Sequence, residues 1–417
     1  MRHAFLLLML VGCALRGQAQ TQARILLRLE PATKRFWCRY TMVLPADAGS
    51  SQVQLNLSKQ FTILAVRSSR AKQQHIERYL YPVFQDTVQG ITLSYAPNDQ
   101  RSKQITITYE GTLTAKFATD QVMEFSRHST WLPLLPYRED QPVDYQLEVH
   151  APRSYSVVST QLPTHHSPGQ FRFRGRTAAI EPTIVVAERF QRLASSPKAR
   201  PPVLISKAGS PLLRADTLLL SEAERIIAFY NKTIGRQDTI PRFSILLPGT
   251  NRSAFGLLDN ATVVTYSDFD VRKLEDRTIL AHEISHKWWA YGSINDYNEW
   301  LNEAFATYSS LLYLQATGDT AAFRQELNTR QKAAIGAPAI IGFNKATHDY
   351  PMFRRVIYAK GTAVLAALHT RVGDQKFIAI LAASAAQKTA TTEAFLGLVA
   401  QEAGEETRRW LANELMR

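Results

Sequence analysis

The hydrophobic pattern of the chain changes near its middle. From residue 20 to residue 194, segments such as ARILLRLE, QITITYEG and QFRFRG alternate apolar and polar residues, as half-buried antiparallel strands do. No long run of helical spacing interrupts this region. The pattern therefore predicts an antiparallel β-sandwich or saddle-like sheet domain over residues 20–194.

A proline-rich segment, SSPKARPP at residues 195–202, follows, and neither a helix nor a central strand tolerates it. We interpret it as a linker to a second domain, residues 203–417. There LLLSEAERIIAFYNKTIG predicts a helix that ends at Gly235, and RFSILLPG and ATVVTYS predict two strands. Helical spacing dominates from Val271 onward. The predicted fold class is α+β, with a sheet domain followed by a domain that passes from mixed α/β to all α.

The first 19 residues have the shape of a secretory signal peptide, with a basic start, an apolar core and a Gln-Ala-Gln stop. The apolar run is too short for a transmembrane helix. We predict cleavage near Ala19 and export to the periplasm, the cell envelope or the medium. The segment LVGC also resembles a bacterial lipobox, so a lipidated Cys13 that attaches the protein to a membrane is an alternative.

Composition narrows the class of protein. With 417 residues, 45% of them hydrophobic, the chain can form two or three domains with real cores. The net charge is +13, but Lys and Arg are dispersed and no nucleic-acid-binding motif is present, which predicts no nucleic-acid partner. After cleavage near Ala19 only Cys38 would remain, so no intramolecular disulfide is expected.

The stretch HEISHKWW, from His282 to Trp289, contains a His-Glu-x-x-His core inside a predicted helix. Residues i and i+4 share a helix face, so His282 and His286 can direct imidazole nitrogens at one ion while Glu283 lies beside them. A catalytic zinc takes three protein ligands and leaves one position for water. The pattern therefore indicates a zinc site whose third ligand lies elsewhere.

A second predicted helix, NEWLNEAFATYSSLLYLQATG, offers two carboxylates four residues apart, Glu299 and Glu303. Glu303 lies inside the helix, after the apolar pair Trp300 and Leu301, which suits a buried carboxylate. Glu299 lies near the start, where the helix dipole alone favours an acidic residue. We favour Glu303 as the third ligand, and Glu299 is the alternative.

HEISHKWW followed by WLNEAFATY resembles the gluzincin zinc aminopeptidases of the membrane alanyl aminopeptidase and leukotriene hydrolase type, in a short form without their C-terminal helical domain. The resemblance implies a thermolysin-like catalytic domain, peptide substrates, and Zn²⁺ held by His282, His286 and Glu303. The connection between the last two, residues 287–302, is two residues shorter than in the family's signature. The loop-like segment YGSINDYN can absorb that loss.

Two further stretches carry the resemblance. VIYAKG is similar to the family's Tyr-Glu-Lys-Gly helix, which implies Tyr358 as the catalytic tyrosine that hydrogen-bonds the oxyanion. GLLDN resembles the family's Gly-Ala-Met-Glu-Asn strand, which implies Gly256, Asp259 and Asn260 as substrate-binding residues. Asp259 stands where the family has the glutamate that binds the substrate's α-amine, and it is one methylene shorter.

These observations predict an exported zinc-dependent aminopeptidase that removes N-terminal residues from peptides, with Glu283 as the base that activates the attacking water. A zinc endopeptidase with an open cleft is an alternative, because the shortened Asp259 weakens the amine anchor. A non-catalytic peptide-binding protein on a peptidase scaffold is a second alternative. The sequence argues against it, since Glu283, Tyr358 and the three implied ligands are all present. The oligomeric state stays open.

Overall fold

The computed structural model describes residues 20–46, 51–84, 86–99, 101–250, 253–257, 262–265 and 268–417. The predicted signal peptide with Cys13 lies outside these residues, and so do Asp259 and Asn260. Within the described ranges, no helix combines the length and apolar character that crossing a membrane requires.

Thirteen strands among the described residues form the first domain. They are β1 (Gln22–Glu30), β2 (Arg35–Leu44), β3 (Gln52–Ser58), β4 (Thr62–Arg67), β5 (Gln73–Tyr81), β6 (Asp86–Ser94), β7 (Lys103–Thr112), β8 (Val122–Phe125), β9 (Pro142–His150), β10 (Ser156–Ser159), β11 (His165–Ser167), β12 (Gln170–Ala178) and β13 (Ile184–Ala187).

These strands form three sheets. The largest has the order β11-β12-β9-β1-β2-β7-β4, and the other two are β3-β6-β5 and β10-β13-β8. Every pair is antiparallel except β1 with β9, which run parallel. One face of the alternating strands supplies an apolar core that includes Leu27, Cys38 and Tyr109, each fully buried.

The second domain begins with a five-stranded sheet made of β14 (Phe190–Ala194), β15 (Val203–Ala208), β16 (Phe243–Leu247), β17 (Phe255–Leu257) and β18 (Thr262–Val264). The order is β14-β15-β16-β18-β17, with β15, β16 and β18 parallel and the two edge strands antiparallel.

The position of β14 corrects the expected boundary. Phe190 to Ala194 pair with Ala208 to Leu204, so residues 195–202 turn the chain between adjacent strands of one sheet. They do not link two domains, and the first domain ends before β14. A proline-rich segment is excluded from the interior of a strand but suits a connection inside a sheet as well as a linker, so sequence could not separate the two.

The first helix of the second domain connects β15 to β16, and the other helices follow the sheet. In chain order they are α1 (Arg214–Lys232), α2 (Leu274–Ser285), α3 (Trp300–Ala316), α4 (Thr320–Ala334), α5 (Tyr350–Phe353), a π-helical segment (Arg354–Lys360), α6 (Gly361–Val372), α7 (Asp374–Ala386), α8 (Thr392–Ala403) and α9 (Glu405–Met416). A sheet domain thus precedes a domain that passes from α/β to all α, and the predicted fold class is confirmed.

Helix α3 is the centre of the second domain, and most of its residues are buried. Two tryptophans fix it to its surroundings: Trp300 Nε1 donates to Thr392 Oγ1 and Trp289 Nε1 donates to Ser309 Oγ, both at 2.9 Å. A Cβ on Gly361 would lie 2.5 Å from Ala304 Cβ, so α6 approaches α3 as closely as a glycine allows. Side chains on α3 are therefore held in fixed positions.

A small apolar cluster joins the domains. Val122, Val185 and Ala187 of the first domain pack there with residues of the five-stranded sheet, among them Leu246 and Phe255. Beside this contact lies a cleft of about 730 Å³ that is lined by both domains.

Candidate active site

The two histidines of HEISH and the glutamate of WLNEAF meet at one point of this cleft. His282 Nε2 and His286 Nε2 lie 3.1 Å apart, and Glu303 Oε2 lies 3.3 Å from the first and 3.8 Å from the second. A tetrahedral zinc ion with bonds of about 2.0–2.2 Å places its ligand atoms about 3.3–3.6 Å from one another. The three separations lie on either side of this range and within about 0.2 Å of it, so the three atoms are close enough together to bind one zinc ion.

The ring nitrogens that face away from this point have partners that orient the imidazoles. His286 Nδ1 lies 2.6 Å from the backbone oxygen of Trp289. Because a carbonyl oxygen only accepts, Nδ1 carries the hydrogen and Nε2 keeps its lone pair. His282 Nδ1 lies 3.4 Å from Thr307 Oγ1, which donates its own hydrogen to the Glu303 backbone oxygen at 2.7 Å. Such contacts fix the tautomer and orientation of metal-binding histidines.

Glu303 is ionised in this environment. Burial raises the pKa of its carboxyl, but the hydrogen bond to His282 and the nearby imidazoles outweigh that effect and hold the pKa at about 2. A carboxylate that stays charged among two imidazoles is a suitable donor for a cation.

Glu299, the alternative ligand, has a different partner. Its Oε2 accepts from Lys345 Nζ at 3.3 Å, and that ammonium lies 4.7 Å from the centre of the Phe353 ring. Burial raises the pKa of Glu299 to about 8. Both glutamates line the cleft, but the carboxylate near the two imidazoles is that of Glu303.

The shortened connection between the two ligand helices is clamped at its middle. Asn302 Oδ1 accepts from the Gly292 backbone nitrogen at 2.9 Å, and Asn302 Nδ2 donates to the Gly292 oxygen at 2.8 Å. A Cβ on Gly292 would lie 2.3 Å from the Asn298 backbone oxygen, which leaves room only for glycine. The residue before Glu303 thus ties the loop to α3, and the loss of two residues leaves the ligands in register.

Glu283 lies against the edge strand β17. Its Oε2 accepts from the Gly256 backbone nitrogen at 2.6 Å, and a Cβ on Gly256 would lie 2.1 Å from the Glu283 backbone oxygen. The donor atoms of His282, Glu283 and His286 lie within 4.8 Å of one another, so the carboxylate can reach a water at the same point. Burial raises the pKa of Glu283. The glycine permits this close approach of strand and helix.

Tyr358 comes from the π-helical segment, a type of backbone that is frequent at functional sites. Its ring is parallel to that of His282, with the centroids 6.3 Å apart, and Phe353 packs edge-on at 5.9 Å. Burial raises the pKa of the phenol. Tyr358 is therefore a protonated hydrogen-bond donor beside the histidine and glutamate cluster.

The structure brings His282, Glu283, His286, Glu303 and Tyr358 together and places Gly256 against them. The first domain contributes further side chains to the cleft that were not predicted from the sequence, among them Phe84, Arg127 and His128. The His128 ring contacts the Phe255 ring edge-on at 4.8 Å, and burial lowers the pKa of His128 to about 3. No local sequence pattern indicates that these side chains belong to the site, because they reach the cleft only through the packing of the two domains.

The second half of the chain resembles a known protein family. Residues 220–411 match the model described as the Peptidase family M1 domain. Aminopeptidase 2 of Saccharomyces cerevisiae is 24% identical over 177 residues, which cover 37% of this chain and 18% of that protein. The human endoplasmic reticulum aminopeptidase 2 is 26% identical over 200 residues, covering 42% and 20%. The chain thus spans about a fifth of the length of these curated relatives.

Solved structures match over nearly the whole chain. An M1 zinc metallopeptidase of Deinococcus radiodurans superposes with a TM-score of 0.71 at 17% identity, over 96% of this chain and 95% of that one. A mutant of an M1 zinc metallopeptidase from the same organism, bound to a Tyr-Ser-Ala substrate, has a TM-score of 0.67 at 18% identity over the same shares. At these identities the likeness shows a common fold, a sheet domain followed by a mainly helical domain.

Proposed function

We propose that the chain is a zinc-dependent aminopeptidase of peptidase family M1, whose domain model residues 220–411 match, and that it removes N-terminal residues from peptides. The family confirms the resemblance drawn from HEISHKWW and WLNEAFATY. One observation supports the activity most: three donor atoms at zinc spacing share a cleft with a carboxylate and a phenol that the reaction needs.

The residues divide the chemistry among them. Zinc held by His282, His286 and Glu303 would acidify a water molecule and polarise the scissile carbonyl. Glu283 takes the proton of the attacking water and returns it to the leaving amine. The Gly256 N–H holds that carboxylate in position, and Tyr358 donates its hydrogen bond to the oxyanion.

The edge strand β17 has a part in binding. It is antiparallel to β18 and has no partner on its other side among the described strands, so an extended peptide can add to the sheet there. A peptide on this edge would pass directly in front of Glu283, which the Gly256 N–H contacts. We assign Asp259 and Asn260, which follow this strand, to the binding of the substrate's terminal amine.

A panel of chromogenic aminoacyl reporters, with and without a chelator, tests the proposal. We expect hydrolysis that chelation abolishes and added zinc restores. A peptide and its N-acetylated form separate the two protease functions: an aminopeptidase cleaves only the free peptide, whereas equal cleavage of both would indicate an endopeptidase. If zinc-loaded protein hydrolyses none of these substrates, the remaining alternative is a non-catalytic peptide-binding protein.

Tyr358→Phe is expected to lower kcat by about 10²–10³-fold, because it removes one hydrogen-bond donor to the oxyanion. The ring and its stacking on His282 are kept, so the zinc content and the melting temperature should match the wild-type protein. Steady-state kinetics with a free aminoacyl reporter measure the effect. A variant with wild-type kcat would exclude Tyr358 from the oxyanion site.

We also propose that the protein is exported, because its first 19 residues have the shape of a secretory signal peptide. Mass spectrometry of the mature N-terminus separates cleavage near Ala19 from acylation at Cys13, since only the second adds fatty acyl mass to a cysteine.

A further inference from the structure

The cleft carries four cationic side chains besides the predicted zinc site. Among the described residues that line it, the carboxylates are Glu283, Glu299 and Glu303, and the cations are Arg127, Arg330, Lys345 and Arg354. Three of the cations lie near a carboxylate. Lys345 lies 3.3 Å from Glu299, Arg127 lies 3.9 Å from Glu181, and Arg330 of α4 lies 3.3 Å from Glu326. The fourth, Arg354, comes from the π-helical segment.

Residues along and just before helix α3 line the cleft and mark out its length. Glu299, Glu303, Thr307 and Ser310 all line it, and four residues of helix advance about 6 Å. The Glu299 end is occupied by the ion pair with Lys345. The Thr307 and Ser310 end extends about 10 Å past Glu303, and no carboxylate among the described lining residues lies on α3 beyond Glu303.

Arg330 faces this cleft from α4 with donors to spare. Its Nη2 lies 3.3 Å from Glu326 Oε2, and its Nε is buried with no hydrogen-bond partner in the described part of the chain. Glu326 is not among the residues that line the cleft. The buried Nε is out of reach of a ligand, and Nη1, which has no hydrogen-bond partner among the described residues, is the donor left for one.

Arg354 lies on the same face of the π-helical segment as Tyr358. Its guanidinium carbon is 4.5 Å from the centre of the Tyr358 ring, and Nη1 donates to Tyr350 Oη at 3.3 Å. Within the described part of the chain no carboxylate forms an ion pair with it, and the Glu303 charge acts on it from beyond ion-pair distance. The stacking on Tyr358 fixes the guanidinium next to the oxyanion donor while leaving its N–H groups for another acceptor.

The two arginines belong to elements that are tied together. Arg355 Nε and Nη2 donate to the backbone oxygens of Ala333 and Ile335 at 3.2 and 2.8 Å, which fastens the π-helical segment to the end of α4. Arg330 lies one turn before that point. The pair is thus presented by a rigid support, which lowers the cost of binding an anion.

We infer that Arg330 and Arg354 form a carboxylate-binding subsite for the part of the substrate that follows the scissile bond. The inference rests on the proposed function, because an aminopeptidase substrate has an ammonium group before that bond. Its C-terminal carboxylate then lies on the leaving side. Guanidinium groups bind carboxylates through paired N–H donors.

The length of this part of the cleft determines how long a peptide substrate can be. An extended peptide advances about 3.3 Å per residue, so the 10 Å between Glu303 and the far end of the cleft holds about two or three residues. The favoured substrates are short peptides, mainly tripeptides and tetrapeptides, with a free C-terminal carboxylate. A longer peptide with Asp or Glu at the same distance offers the same chemistry from a side chain.

A comparison of alanine tripeptide with its C-terminal amide tests the inference on the wild-type protein. We expect kcat/KM to be at least tenfold higher for the free carboxylate, the effect of a lost charge-assisted hydrogen bond. Tetrapeptide amides with Glu or Gln as the third residue test whether a side-chain carboxylate can bind instead. If the Glu peptide is preferred over the Gln peptide by the same factor, the subsite accepts a carboxylate from either the C-terminus or a side chain. Equal cleavage of all pairs would overturn the subsite.

Variants assign the preference to the two arginines. Arg330→Gln combined with Arg354→Gln should bring the ratio of the two kcat/KM values close to one, and each single variant should give an intermediate ratio. Because the ratio is taken within one protein, general damage to the enzyme cancels. Arg324→Gln is the matched control, an exposed arginine on α4 that does not line the cleft, and it should keep the wild-type ratio.

Two outcomes would contradict the assignment. If the double variant keeps the wild-type ratio, other groups bind the carboxylate. If the arginine-dependent preference is instead found between reporters with N-terminal Glu and Gln, the subsite serves the first residue. Failure of the proposed function is distinguishable, since then the wild-type protein would hydrolyse no aminoacyl reporter at all.

Discussion

Glu283→Gln is expected to lower kcat by about 10²–10⁴-fold while zinc stays bound. The amide has the shape of the carboxylate, and its oxygen can still accept from the Gly256 N–H, which lies 2.6 Å from Oε2 in the native protein. It cannot take a proton from the attacking water. The loss should therefore appear in kcat, with an unchanged zinc content, when aminoacyl hydrolysis and metal analysis are carried out on the same preparation.

Glu275→Gln is a matched control, because Glu275 is an exposed residue at the start of the same helix, α2. It should keep the wild-type kcat. A Glu283 variant that retains activity within a few-fold of the wild-type protein would remove Glu283 as the general base. A variant that loses its zinc would show that the carboxylate supports the metal site, and kcat would then report on metal loss.

The residues that the sequence predicted share one property: each lies in a short local pattern. His282 and His286 are brought together by helix spacing alone. Tyr358 lies three residues before Gly361, where only a glycine allows the close contact with α3. Arg330, Arg354 and His128 reach the same cleft through packing between elements far apart in the chain. Periodicity carries no information about such contacts, which is why sequence reasoning missed them.

The fold shows the same division. Alternating segments predicted strands correctly, because the pleat forces every second residue toward the core. The pairing of β14 with β15 joins a strand assigned to the first domain to a sheet of the second, and pairing depends on tertiary contacts. The π-helical segment is equally hidden, since RRVIYAK has ordinary helical residues and its backbone depends on the neighbours that hold it.

The choice between Glu299 and Glu303 also needed the structure. The sequence favoured Glu303 as the more buried position, yet both side chains are largely buried and both line the cleft. Four residues on a helix share a face, so periodicity places the two carboxylates alike. Their partners separate them: two imidazoles lie near Glu303, and an ammonium lies near Glu299.

Glu303→Gln should accordingly weaken zinc binding by more than 100-fold and abolish activity with it. Loss of a group that merely supports a ligand costs about 10–100-fold in metal affinity, and removal of a charged ligand costs more. Competition with a chelator of known zinc affinity gives the constant, and a thermal melt of the zinc-free proteins shows whether the variant is folded.

Glu299→Gln is the matched variant, one helical turn away on the same face of the cleft. It makes the same substitution one turn away but leaves the cluster of His282, His286 and Glu303 intact, so zinc affinity should stay within a few-fold of the wild-type value. The reverse result, with zinc lost from the Glu299 variant and kept by the Glu303 variant, would make Glu299 the third ligand. The clamped loop between Gly292 and Asn302 would then have to shift α3 by about one turn, or about 6 Å, which its two hydrogen bonds oppose.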